Sequence, residues 1–426
     1  MSMTSRERIQ TALAFEEPDR VPIDIGGSNC TGICVDEYVE LTRALGLELD
    51  APKVYEPFEM LARMEEPLRQ RLHGDVVSLE NPSMKFGLIN DNWKSWRTQQ
   101  GNDVYMPGNF NPEVDEQGST YILDSKGNRQ AVLVPGALYF EKTCPTGLSD
   151  NFSKMDPDEW RGKIELFSDE HLRIIENNAR TLYENTDYAI LGEFGKGGLG
   201  TTSLFAGHTL TDWICLLVTE PEYCSSILQA TAERAVENLK LYLDAVGRYI
   251  DVVFISAVDF GTQKAPLFNP DIFRDLYVTN YRMMNDYVHA NSRAKTFFHS
   301  CGSVFDFLEH FIDAGVDIIN PLQLTAANMD ARRIKQTYGR RIVFWGGGVD
   351  TQTVLPFGTQ EEVVEQVNER LQIFAPGGGY VFTPVHCVQH GVPPANLLAA
   401  VDAAYEIGRY PMRDIRGQVS EGRRRK

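Results

Sequence analysis

No apolar run in the chain approaches the about 20 residues needed to cross a bilayer, and the opening Met1-Ser2-Met3-Thr4-Ser5-Arg6-Glu7-Arg8 has no apolar segment of the signal-peptide kind. A cytoplasmic protein is expected. Positive charge is scarce: 41 Lys and Arg stand against 59 Asp and Glu, a formal net charge of -18. A nucleic-acid groove needs clustered Lys and Arg, and the basic run from Arg423 to Lys426 reads as a solvated end. Cysteine is thinly spread. The seven, Cys30, Cys34, Cys144, Cys215, Cys224, Cys301 and Cys387, are an odd number in a chain large enough to need no staples. That excludes a disulfide framework and leaves free thiols or a metal site. No Cys-x-x-Cys pair supports a four-cysteine structural zinc, no acid pair supports glycosidase chemistry, and neither a nucleophile elbow nor a phosphate-binding P-loop is present.

What is present is an ordinary globular composition, 42% hydrophobic and 23% charged over 426 residues. Length alone suggests two or three domains of about 150 residues, but an α/β barrel runs past that as one unit. The chain begins with a helix capped at Thr4 or Ser5, with Ile9, Ala12 and Leu13 on one face, ended by Glu17-Pro18-Asp19. Short apolar runs then recur: Val21 to Ile25, Asp75 to Glu80, Tyr188 to Phe194, Asp251 to Ser256, Lys295 to Phe298, Val316 to Asn320, Ile342 to Trp345 and Tyr380 to Phe382. Helical periodicity separates them, through Tyr38, Leu41 and Leu45, from Met60 to Leu72, from Asp169 to Asn185, from Val304 to Ala314 and from Gln360 to Phe374. About eight alternating β/α units are the number a closed parallel barrel needs. Between about 84 and 150 the pattern changes, with Trp93, Trp96 and a hairpin pairing Tyr121 to Leu123 with Ala131 to Val134 across a turn at Asp124 to Asn128. The expected architecture is a (β/α)8 TIM barrel, a single domain over 1–426, with a β-rich insertion after the second strand that serves either as a lid or as a surface addition.

Polar residues follow a rule along this pattern. Asp24, Glu80, Glu193, Asp259, His299, Asn320 and Cys387 all stand at or just past the C-terminal ends of apolar runs, where a barrel builds its site. Gly195-Lys196-Gly197-Gly198-Leu199-Gly200 formally matches G-x-G-x-x-G, yet the next good strand begins only at Asp251. A dinucleotide site needs it within about 30 residues, so a flexible active-site loop is the better reading. His386 and His390 have i, i+4 spacing, but Gly391 and Pro393 argue against a continuous helix there.

The centre of the pattern is Thr296-Phe297-Phe298-His299-Ser300-Cys301-Gly302. Two residues apart on a strand, His299 and Cys301 share a face. Zinc accepts imidazole and thiolate, and a catalytic site offers three protein ligands with one position open; His299, Cys301 and Cys387 form such a set. Two thiolates and a neutral imidazole cancel the charge of the ion, so that an incoming thiol can lose its proton there. From residue types alone the alternative is a satisfied core histidine with unpaired thiols. Asp259 reads as a fourth ligand, a base or a polar strand end, and Glu193 is open to the same alternatives.

Several stretches together resemble the uroporphyrinogen decarboxylase superfamily over nearly the whole chain: Arg6-Glu7-Arg8 through Pro18-Asp19-Arg20-Val21-Pro22, His299-Ser300-Cys301-Gly302, Gly315-Val316-Asp317 with Asn320-Pro321, Trp345-Gly346-Gly347-Gly348-Val349-Asp350, and Val392-Pro393-Pro394-Ala395-Asn396. The resemblance implies a (β/α)8 barrel with its site at the C-terminal mouth. The tetrapyrrole decarboxylases of that family carry an arginine-bearing segment after the first strand, and Ile23-Asp24-Ile25-Gly26-Gly27-Ser28-Asn29 has no arginine. The family's corrinoid-dependent methyltransferases use a zinc site of the form His-x-Cys with a distant Cys, matched here by His299, Cys301 and Cys387. The Asp-x-His-x-x-Gly signature of cobalamin-binding domains is absent, so the corrinoid (cobalamin) would reside on a partner protein.

The resemblance thus implies a zinc-dependent methyltransferase moving a methyl group between a small substrate, a thiol or a methoxy or methylated compound, and a separate corrinoid protein. Asp259, Glu193 and His386 are the expected catalytic residues; Asp24, Asn29, Glu80, Asn320 and Gln323 the expected substrate-binding ones. A second reading is a metal-free decarboxylase or lyase of a small carboxylate or tetrapyrrole-like substrate at the same mouth. A third is a non-catalytic subunit that docks a corrinoid protein. A second copy of the chain is admitted as a partner; nucleic acid and membrane are not expected.

Overall fold

The computed structural model describes residues 3–124, 126–143, 154–200 and 205–412. Seven parallel strands follow one another in a single sheet: Val76–Leu79, Ala189–Glu193, Val252–Ala257, Lys295–His299, Ile318–Asn320, Val343–Trp345 and Tyr380–Val381. Each is a short apolar run that is almost wholly buried, as expected when helices cover one face of a parallel sheet and a packed interior the other. The remaining run, 21–25, is too short to register as a regular strand, yet it closes the circle. The Asp24 N–H donates to Phe382 O at 2.8 Å and the Phe382 N–H to Pro22 O at 2.8 Å, while on the other side the Asp75 N–H donates to Ile23 O at 2.7 Å. The protein is therefore a TIM barrel, with 21–25 as its first stave.

Alternate residues of these strands point inward. Val76, Ala189, Leu191, Val252, Phe254, Phe297, Ile318, Val343, Trp345 and Val381 form one apolar cluster, joined by Ile9 and Leu13. Phe297 packs edge-on against Phe254 at 4.9 Å and Trp345 at 5.5 Å. The barrel is filled, and its lower end is stoppered by the helix Ser5–Leu13, which Thr4 starts with a capping box to Glu7. Beneath that stopper Asp75 accepts from Arg8 Nη1 at 2.6 Å, Arg20 Nη1 at 2.7 Å, Ser5 Oγ at 2.7 Å and the Ile23 N–H at 2.9 Å. The Arg6 to Pro22 motif is thus a structural closure, remote from the mouth.

The helices Asp169–Asn185 and Gln360–Phe374 span the residues the periodicity indicates. Two other expectations are corrected. Met60 to Leu72 is not one helix: Leu61–Ala62 pairs with Val54–Glu56 in an antiparallel ribbon, and the helix begins only at Glu66, before a Pro at its first turn. Tertiary pairing of the ribbon overrides the apolar spacing that mimicked a helix. Val304 to Ala314 splits into a tight 3-10 turn, Phe305–Phe307, and a short helix, Leu308–Asp313. The β-rich insertion is present. Thr120–Leu123 pairs with Arg129–Leu133, Tyr121 opposite Val132, and Lys94–Arg97 pairs with Asp103–Met106. Ser125 of the turn, Cys144 and the Arg423 to Lys426 tail lie outside the described residues. The insertion reaches the mouth: Lys85, Tyr139 and Lys142 line its cavities.

Candidate metal centre at the barrel mouth

His299 is the last residue of its strand and faces up the barrel. Its Nδ1 lies 2.6 Å from Asn320 Oδ1, while Asn320 Nδ2 donates to Trp345 O at 2.8 Å. The carbonyl of Trp345 can only accept, so it fixes which end of the Asn320 amide faces the histidine. Nδ1 then carries the proton, and the Nε2 lone pair is left for another partner. Burial holds the ring below the usual histidine range, against the pull of Asp259, which favours this neutral form. Cys301 Sγ lies 3.4 Å from Nε2.

The loop that carries Cys301 is held by its backbone. The Cys301 N–H donates to Asp259 Oδ1 and the Gly302 N–H to Gln323 Oε1, both at 2.7 Å. Gly302 has φ +88°, and a Cβ there would come within 2.4 Å of the Gly261 backbone. The glycine therefore permits the loops after the fourth and fifth staves to cross in direct contact.

Three sets of potential ligand atoms lie mutually within 4.8 Å among the described residues: His299, Cys301 and His386; Glu59, His386 and Cys387; and Glu37, Glu40 and His390. His386 is shared by the first two, and its ring centroid is 5.7 Å from that of His299. The expected trio of His299, Cys301 and Cys387 is not one of these sets. The Cys387 thiol turns toward the Asn29 carbonyl, 3.3 Å away, and packs with Tyr55 and Leu61, so that in this geometry His386 stands beside the His-x-Cys pair. Burial pushes both thiols well above their ordinary range. Such thiols ionise readily only beside a positive charge.

Glu59 was not legible as a site residue. It sits in the turn joining Val54–Glu56 to Leu61–Ala62, and its Oε2 is sealed from solvent without a hydrogen-bond partner, 3.8 Å from His386 Nδ1. It lies between two cavities. One of 380 Å³ is lined by His299, His386, Asp259, Glu193, Asn29 and Lys85, and one of 600 Å³ by Cys301, Gln323, Cys387, Tyr139 and Gln352; both touch Glu59 and His386.

The other expected residues divide. Glu193 accepts from the Asn29 N–H at 3.0 Å; burial pushes its carboxyl up to about 7 against that bond, with Glu56 and Glu80 adding to the rise. Asp259 is half exposed at the rim. Asp24 is 0% exposed, bonded to Trp345 Nε1 and the Gly27 N–H at 2.8 Å each, and lines neither cavity. Burial pushes it up to about 6. Glu80 is taken up by a forked pair with Arg63, at 2.9 and 3.0 Å from Nε, and also stands outside both cavities. Asn320 acts on the histidine, while Gln323 both lines a cavity and holds the loop. Of the glycine-rich run, Gly195, Gly198 and Gly200 line the smaller cavity, and among the described residues the next helix starts at Leu210. A Cβ at Gly197 would sit 2.3 Å from Ile255 O, so that glycine serves close packing.

The fold and site define a TIM barrel with a histidine–cysteine centre at its C-terminal mouth. The model of the uroporphyrinogen decarboxylase (URO-D) family matches residues 190–407, just over half of the chain, and the chain belongs to that family. No curated protein sequence matches it. Among solved structures, a methyltransferase from Methanosarcina mazei is 17% identical, with a TM-score of 0.55 and 95% of this chain and 99% of that one covered; it shares the fold. The homocysteine methyltransferase MmuM from Escherichia coli is 12% identical over 60% of this chain and 78% of that one, with a TM-score of 0.27.

Proposed function

We propose that the chain is a zinc-dependent methyltransferase that moves a methyl group between a small thiol, methoxy or methylated compound and a separate corrinoid protein. The observation that carries this reading is the His299–Cys301 pair, an imidazole lone pair and a thiol 3.4 Å apart at the mouth, His299 in the wall of the smaller cavity and Cys301 in that of the larger. The donor set fits the ion: imidazole and thiol, flanked by a sealed and unpartnered Glu59 oxygen. His299 and Cys301 would hold zinc, completed from the dipeptide His386-Cys387. Bound there, the ion supplies a positive charge that favours the deprotonated form of an incoming thiol.

The chain's own groups do the rest. Asn320 and Trp345 O keep His299 in the tautomer that presents Nε2. Asp259 and Gln323 hold the Cys301 loop through its N–H groups. Glu193, ionising near neutrality on the cavity wall, can hold or release a proton beside the substrate. The shared barrel of the Methanosarcina mazei methyltransferase supports the reading. Metal analysis of the purified protein should find zinc, and Cys301→Ser should lose the equivalent held at the mouth. His386→Ala and Cys387→Ser, compared, identify the third ligand. Wild type that takes up no zinc at the mouth would end the proposal.

A second reading, a lyase or decarboxylase of a small carboxylate, is favoured by Lys85 and Lys142 in the wall of the smaller cavity. Carbon dioxide release without corrinoid would support it over methyl transfer.

A further inference from the structure

The third set of potential ligands stands apart from the mouth. Glu37 and Glu40 lie on the helix Val35–Ala44, three residues apart and so on one face. Against that helix runs the segment after the eighth stave. The Cys34 N–H donates to Val388 O at 2.8 Å, the Val388 N–H to Gly32 O at 2.9 Å, and the Gly391 N–H to Glu37 Oε2 at 3.2 Å. These bonds bring His390 over the helix, with Nδ1 3.7 Å from Glu40 Oε1. One ligand atom from each of the three residues lies within 4.8 Å of the others. None of the three lines either mouth cavity.

Two of these groups are unfinished. Glu37 is 0% exposed, and its Oε1 is sealed from solvent without a donor. His390 Nδ1 is also sealed and has no hydrogen-bond partner. A buried polar atom left so costs about 1–3 kcal/mol, and here two belong to residues of one cluster. The neighbouring Asp36 shows the contrast, since its Oδ1 accepts from Thr98 Oγ1 at 2.6 Å and Asn102 Nδ2 at 2.7 Å.

We propose that Glu37, Glu40 and His390 form a second divalent-cation site, separate from the mouth. Two carboxylates and one imidazole neutralise a doubly charged ion and suit a borderline cation such as zinc. Its occupant joins the helix to the segment that carries His386 and Cys387, three to four residues before His390. The inference does not depend on the proposed methyl transfer.

The test is zinc titration of the full chain after chelator stripping, with bound equivalents measured by elemental analysis and the zinc-induced shift in Tm recorded. Wild type should hold one equivalent more than His390→Ala. Glu40→Gln, at a half-buried position that folding tolerates, should bind that equivalent on the order of 100-fold more weakly. Glu37→Gln keeps the shape and removes the ionisable carboxyl; without metal it should be at least as stable as wild type, and it should lose the part of the zinc-induced shift in Tm that Cys301→Ser keeps. Cys301→Ser should keep this equivalent, which separates the two sites. Equal zinc content and affinity in wild type, Glu40→Gln and His390→Ala would overturn the proposal, even if Cys301→Ser lost an ion of its own.

Discussion

At the lower end of the barrel Asp75 is 0% exposed and both its oxygens are met by Arg8 and Arg20. At the mouth Glu193 carries a raised carboxyl, Glu59 has a sealed oxygen with no hydrogen-bond partner, and the Cys301 and Cys387 thiols are pushed well above their ordinary range. Both ends bury polar groups within one fold. The difference lies in completion: the lower cluster is paired within the chain and serves architecture, whereas the upper one is left short of charge and hydrogen-bond partners, as a site that receives something must be.

The comparison breaks most visibly at the bottom. Asp75→Ala takes the buried carboxylate from Arg20 and leaves Arg8 with the Asp19 carboxylate alone; it should cost about 3–5 kcal/mol, read as a lower urea midpoint, with zinc binding at the mouth intact in whatever fraction remains folded. At the mouth the expected loss is of function. Asn320→Ala frees the His299 ring and should weaken zinc binding at the mouth about 10- to 100-fold, measured by competition with a chelator, with a smaller change in stability than Asp75→Ala. An unchanged affinity would remove Asn320 from its orienting role.

A subtler contrast lies in pH. The Glu193 carboxyl ordinarily ionises at 4.5 and in the fold at about 7, so the native state holds that proton more tightly than the unfolded one. The resulting stabilisation is complete below 4.5 and is lost as pH rises through 7. Glu193→Gln should flatten the decline in denaturant midpoint across that window. Asp24 acts in the same sense between 3.8 and about 6, so some slope should persist there.

Much of this was legible in the chain itself. The eight short apolar runs, the insertion hairpin of Tyr121 to Leu123 with Ala131 to Val134, and the placement of His299 and Asp259 at strand ends follow from periodicities of two and 3.6, which report local burial. Helical spacing misled from Met60 to Met64, because a two-strand ribbon at the rim buries the same residues for another reason.

The sequence by itself determined the alternating β/α units, the capped helix at the start and the spacing of the His299–Cys301 pair, since each depends on neighbours in the chain. Only the tertiary structure decided that His386 stands beside that pair while Cys387 turns to Asn29 O, that Glu59 enters the site, and that His390 joins Glu37 and Glu40 instead. The physical reason is distance. Which loop tips meet over a barrel is set by its curvature and by contacts between staves hundreds of residues apart, and no local period encodes that.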